Sequence, residues 1–449
     1  MKRTALQLLI SFSLASALSS LAQTNVCVSS NISNKLICLV PDSGTILTNL
    51  TFGATGQNAA AEQNAAFGAA TSINAAVAAQ LAQLPIPSAT VGALQIKRKG
   101  SDVPLPFTNL GPVLTDRPDT VGRGHLFSAF GFQHFNFNAL DGQDLKNLPL
   151  AFTFADTITQ NSQPKIHYGA MTNTVDLQLD QYIFLATAGV SPTTDLSIII
   201  PVNSISVNVV SGNFQAYDYD INSQTYSVHS PPAKTSLLSR GSASGLGDIT
   251  VGLKQMLLGQ EHNRPAAAVG ATFRFPTGDA YNYLGSGALG GSLYGLLEYR
   301  ARLAPHMKVG YQWNDTTKIL SPTLQSGSAR LPGGLSYAIG TDFRIHPKLT
   351  LNADFLGNQF VNTPTFHKTT SPLNPVPQAS SGLTITTFDV VSTVASTYTT
   401  VNFSGGLKWQ PFPHAVIYGN ALIALSNVGL RSEVVPVVGI AYNFHREAR

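Results

Sequence analysis

In several stretches of this chain charged and small polar side chains share one set of alternate positions, with apolar residues on the other set. Asp248 and Lys254 alternate with Ile249, Val251 and Leu253. Glu298 and Arg300 oppose Leu297 and Tyr299, and Asp342 and Arg344 oppose Ile339, Phe343 and Ile345. Lys408 opposes Phe403, Leu407 and Trp409, while Asp176 and Asp180 oppose Val175, Leu177 and Leu179. Side chains with a period of two belong to strands, whose successive residues point to opposite faces. With Arg274, Lys308 and Asp354 added, acids and bases on the charged face are roughly balanced. Such a face can form internal ion-pair networks or contact a passing solute, and both readings stand.

Catalytic and metal chemistry lack their spacings. His125, His134, His346 and His414 are scattered. There is no Gly-x-Ser-x-Gly elbow and no His-Glu-x-x-His pair. An enzyme is not expected, and neither a cofactor nor a metal is expected.

The elements that carry these residues follow one rule. Strand-length stretches are joined by connections that alternate in length. The short ones fall at 189–194, 259–264, 304–306, 346–348 and 410–414. The long or Gly/Ser/Pro-rich ones fall at 139–172, 211–246, 277–287, 315–332 and 362–396. That alternation predicts an all-β fold, an antiparallel up-and-down barrel of about 12 strands in an outer membrane, with tight periplasmic turns and longer outer loops. The strands are expected at 123–137, 173–189, 194–209, 247–258, 265–276, 288–303, 306–314, 333–346, 348–361, 397–410, 414–427 and 431–444. The apolar set should face lipid and the charged set the lumen. The first strand alternates poorly, because Phe130, Phe132, Phe135 and Phe137 fall on both faces. A lumen partly filled by the N-terminal segment or a misplaced strand would each explain that.

Composition agrees. Only 11% of the 449 residues are charged while 43% are hydrophobic, against roughly 25% charged in soluble domains. The net charge of +4, without a dense basic cluster, gives nucleic-acid binding little support.

Residues 1–22 read as a signal peptide, with Lys2 and Arg3 ahead of an apolar run and Ser20-Leu21-Ala22 as the cleavage site. Cys27 and Cys38 are expected to form a disulfide in an oxidising compartment. Residues 23–122 form a separate extension. Within it, Ala-rich 57–84 reads as one helix stopped by Pro85. Phe67, Ala70, Val77, Leu81 and Leu84 make a thin apolar stripe that Asn74 interrupts. A plug inside the barrel, a helix packing on copies of itself and a loosely packed periplasmic helix all fit. The barrel should occupy 123–444 and residues 445–449 a periplasmic tail.

The final strand carries Val438, Ile440, Tyr442 and Phe444 on one face and is similar to the signal read by the barrel-assembly machinery. Trp313, Trp409, Tyr299 and Tyr442 are candidates for interfacial aromatic girdles. The segments Ser244-Gly-Leu-Gly-Asp248-Ile-Thr-Val-Gly-Leu-Lys254 and Phe273-Arg-Phe-Pro-Thr-Gly-Asp279 resemble the outer-membrane barrel family named for a MetA pathway of phenol degradation. Gly405-Gly-Leu-Lys-Trp409 and Asn427-Val-Gly-Leu-Arg-Ser432 continue the resemblance. It implies an outer-membrane channel or transporter for small hydrophobic or aromatic solutes, distantly like long-chain fatty-acid transporters. A structural or surface-interaction barrel with a blocked lumen is the alternative. The expected partners are outer-membrane lipids, the assembly machinery and a small apolar solute. In residue terms, Gly245 and Gly247 let the chain turn into its strand, Asp248 can bind loop amides or a lumen cation, and Pro276 ends the next strand.

Overall fold

The computed structural model describes residues 31–33, 74, 76–82, 110–156, 165–229, 237–259, 265–299, 301–317, 319, 329–372, 387–412 and 414–444. Twelve staves close into one antiparallel barrel. They are β1 (Leu126–Leu140), β2 (Lys165–Ser191), β3 (Thr194–Asp220) and β4 (Leu237–Leu246 and Thr250–Leu258). Next come β5 (Ala266–Arg274), β6 (Gly290–Glu298), β7 (Leu303–Asn314) and β8 (Gly334–His346). The circuit ends with β9 (Leu349–Pro372), β10 (Thr387–Phe412), β11 (Ala415–Ala424) and β12 (Leu430–Ser432 and Val434–Phe444). Each stave pairs with its sequence neighbours, and β1 closes the ring on β12 from Leu126↔Phe444 to Gln133↔Val437. Closure removes every unpaired edge, which a sheet in hydrocarbon requires. β5 and β6 have nine residues each, the length a tilted strand needs to cross the bilayer core.

Outward residues form an apolar belt. Leu253, Leu297, Ile339, Leu407 and Ile440 are 43–54% exposed. Phe403 packs against the outward Phe355, the ring centres 5.3 Å apart and the planes tilted by 57°. Trp409, Tyr299 and Tyr442 lie at the short-turn end and Trp313 at the opposite end, all exposed. Two aromatic levels therefore bracket the belt, as in an outer-membrane barrel.

Some expectations need correction. The turn placed at 304–306 falls earlier, since β6 ends at Glu298 and β7 begins at Leu303, and Pro305 sits inside β7, paired with Thr341. A proline near the start of a strand forfeits little of the ladder. Much of the long connections is strand: β2, β3, β9 and β10 run past the belt as ribbons, and Leu148–Asp156 and Thr225–His229 add to them. Above the membrane both sides of a ribbon meet water, so no apolar alternation marks those strands in sequence.

The faces of β1–β3 switch with height. Low in β3, Leu196 and Ile198 point outward to lipid, while high in β3 the apolar Ile205, Val207 and Val209 point inward and are buried. β1 divides its phenylalanines in the same frame: Phe130 and Phe132 point out, Phe135 and Phe137 in. β1 thus carries phenylalanine on both faces, with Phe135 lining an interior cavity, which is why its alternation is irregular.

Candidate functional site

The interior charges divide into a tier at the long-loop end and a tier at the short-turn mouth. At the long-loop end Asp248 ties down the loop after β5. Its carboxylate accepts from the Gly278 amide (3.1 Å) and from the Ser286 amide (2.8 Å) and hydroxyl (2.6 Å). Arg274 Nε lies 3.6 Å from the same carboxylate. Thr277 Oγ donates to the Gly247 carbonyl (2.7 Å) and accepts from the Ile249 amide (2.9 Å). The two Gly-rich motifs of the sequence therefore form one locked corner. A Cβ on Gly285 would lie 2.2 Å from Asp248 Oδ1, so only glycine fits there. Asp248 binds loop amides, one of the two uses open to it in sequence, and lies beside the Arg274 guanidinium.

The mouth tier holds a segment that crosses the lumen. Val113, Thr115, Arg117, Asp119 and Thr120 are all buried, and none belongs to a strand. Arg117 makes a two-point contact with Glu298, 2.9 Å from Nη2 to Oε1 and 3.3 Å from Nε to Oε2. Its Nε is 3.7 Å from Asp119. Lys254 Nζ donates to the Arg117 carbonyl (3.0 Å) and lies 3.3 Å from Asp116 and 3.9 Å from Asp195. The Val121 amide donates to both Asp195 oxygens at 3.0 Å. On the far wall the Leu110 amide donates to Thr350 Oγ (3.0 Å), and Lys408 Nζ donates to the Leu110 and Pro112 carbonyls. The segment 110–121 thus touches β3, β4, β6, β9 and β10, all near their short-turn ends. Behind it His306 Nε2 lies 2.6 Å from Asp354 and its Nδ1 3.6 Å from Asp342.

Burial alone would pull the Arg117 pKa down. The carboxylates of Glu298, Asp119 and Asp342 outweigh that and raise it above the ordinary arginine value. The latch therefore keeps its positive partner at any working pH. Where the segment enters β1, a Cβ on Gly189 would lie 1.8 Å from the Gly122 carbonyl oxygen, so the chain passes β2 only against a glycine.

Residues 76–82 are helical and lie above this floor. Val77 is buried, the Ala82 carbonyl accepts from Arg274 Nη1 and from Gln312 Nε2 (3.1 Å), and Asn74 Oδ1 accepts from the Tyr283 hydroxyl. Asn74, which interrupts the apolar stripe, therefore meets Tyr283 in the buried part of the loop after β5. The Tyr283 phenol, in that loop, is raised by burial.

Between helix and floor lies a cavity of about 290 Å³. One arc is apolar: Phe135, Ile183, Ile199, Phe360, Leu422 and Leu430. The other is polar: Thr272, Arg274, Ser292, Lys308, Gln312 and Ser336.

Of the sequence candidates, Asp248, Lys254, Arg274, Glu298, Asp342, Asp354 and Lys408 point inward and are buried. Arg344 shares the inner face of β8 with Asp342 and is half-buried at the rim. Asp176 and Asp180 do not join them. Both lie on the outer face of β2, Asp180 2.7 Å from His134 across the β1–β2 ladder, while Val175, Leu177 and Leu179 are buried inside. The alternation there is real but inverted, because this part of β2 stands where the outer face meets water. Arg300, Cys27, Cys38, the signal peptide, the tail 445–449 and most of helix 57–84 lie outside the described residues. Strand alternation does not single out Asp116, Arg117, Asp119, Asp195, His306 or Arg431, which the fold adds to the interior. The signal for three of them is Leu114-Thr-Asp-Arg-Pro-Asp119, a charge cluster in a Pro-rich stretch that otherwise reads as a linker.

A closed, lipid-belted antiparallel barrel of this build is an outer-membrane β-barrel protein. Residues 155–368 match the family model described as "Putative MetA-pathway of phenol degradation", the family the sequence motifs resemble. No curated protein sequence matches the chain. Among solved structures, the COG4313 outer membrane channel from Pseudomonas putida F1 is similar at 12% identity and a TM-score of 0.40, covering 73% of this chain and 97% of that one. The NanC porin is similar at 8% identity and a TM-score of 0.31, covering 66% and 98%. The Ralstonia pickettii toluene transporter TbuX gives 11% identity and a TM-score of 0.24, covering 72% and 90%.

Proposed function

We propose that the protein is an outer-membrane channel for small hydrophobic or aromatic solutes, held closed at its periplasmic mouth by residues 110–121. The observation that carries this reading is the two-faced cavity inside the lumen, apolar on one arc and polar on the other, above a floor made by a separable segment. A wall strand could not move without opening the ladder. A segment held by side-chain contacts can. The family description, which concerns phenol degradation, supports the solute class.

The alternative, a structural barrel with a blocked lumen, draws on the depth at which Thr115 and Thr120 are buried. Initial uptake of labelled phenol by intact Gram-negative cells, with and without the protein, separates the two. Faster uptake with the protein is expected. Equal rates would favour the structural barrel.

A further inference from the structure

The charges around the cavity do not balance. Four cationic side chains border it. Lys254 is matched by Asp116 and Asp195, and Arg274 by Asp248. Lys308 and Arg431 form no ion pair among the described residues. Arg431 lies in the first, outer segment of β12 and is 6% exposed. Its Nη2 donates to the Val401 carbonyl (3.2 Å) and to Asn402 Oδ1 (2.5 Å), and its buried Nε has no acceptor. A guanidinium stays protonated at any physiological pH. Burying one without a counter-charge is strongly unfavourable. Leu422, Leu430 and Phe360 supply apolar surface to the same cavity. Lys308 lies deeper, its Nζ 4.5 Å from the centre of the Tyr294 ring, a contact that offers no negative charge.

We propose that the cavity selects a small organic anion: a carboxylate on a ring-sized apolar body, its head group on the Arg431 guanidinium and its body on the apolar arc. This selectivity rests on the channel function and narrows its solute class. A planar carboxylate matches the guanidinium fork. Lys308 is a second cation on the way to the mouth. Lys308 shares the field of Asp116 with Lys254, so a neutral arene would leave Arg431 as the uncompensated cation, and an organic cation would be repelled by both. An apolar cavity of about 150 Å³ holds benzene, so this one has room for a substituted ring.

The test is calorimetric titration of the full-length protein in a non-ionic detergent with three probes of one shape: benzoate, benzamide and benzamidine. Benzoate is expected to bind at least about ten-fold more tightly than benzamide, the discrimination a charge-assisted hydrogen bond supplies, and benzamidine most weakly. R431Q should lose that preference while still binding benzamide. R431K, which keeps the charge, should retain most of it. Heat-modifiable gel mobility shows that each variant is a folded barrel. Equal binding of benzoate and benzamide, or a preference that survives in R431Q, overturns the anion assignment and leaves the channel reading intact. No binding of any probe also overturns it, and phenol uptake then decides the channel reading by itself.

Discussion

Arg117 is the residue on which the floor turns. Its guanidinium reaches Glu298 on the wall and Asp119 on its own segment, and its carbonyl accepts from Lys254. Because its pKa is raised in the folded protein, the stability it contributes is present below the unfolded value and lost only at extreme alkalinity. Removing the side chain takes a two-point contact from the buried Glu298, and breaking a buried pair costs about 3–5 kcal/mol. The barrel ladders do not involve Arg117, so the loss should fall on the floor segment. Arg117→Ala is therefore expected to raise conductance in planar bilayers while the barrel keeps its heat-modifiable mobility. Arg117→Lys, which cannot reproduce the two-point contact, should fall between. Wild-type conductance in both variants would mean that this contact does not hold the floor.

Strands show how far the sequence can be read and where it stops. The twelve staves and most inward charges follow from alternation, because between β4 and β11 lipid outside and charge inside make opposite demands on the two faces. Asp176 and Asp180 break the reading because alternation gives the period and not the sign. Above the lipid, β2 turns its leucines inward and its acids to water. The deciding fact is the height of a residue relative to the bilayer, and that depends on where the aromatic levels fall once the barrel is assembled. Cysteine substitution tests this correction. Asp176→Cys in whole cells should react with a membrane-impermeant maleimide, and Leu297→Cys only with a lipid-soluble one. Protection of position 176 together with impermeant labelling of position 297 would reverse both faces and sink the assignment.

At the scale of the molecule the protein is two layers of chain, a wall and a filling, and only the wall announces itself in sequence. The filling has no period, since its partners lie on seven different staves up to 298 residues away in the chain. It does have a division of labour that can be tested. Residues 76–82 meet the upper lumen through Arg274 and Gln312, whereas 110–121 meet the mouth through Asp195, Lys254, Glu298, Thr350 and Lys408. If the mouth contacts make the seal, deleting residues 23–109 should leave bilayer conductance low, because every contact of the floor remains. Deleting residues 23–121 should remove the floor and open a stable conductance, with the strand pairing intact because β1 begins at Leu126. A small neutral sugar should then leak from liposomes carrying the longer deletion and stay inside those carrying the shorter one. High conductance in the shorter deletion would move the seal up to the helix, and low conductance in the longer one would show that the wall closes the lumen without help from the extension.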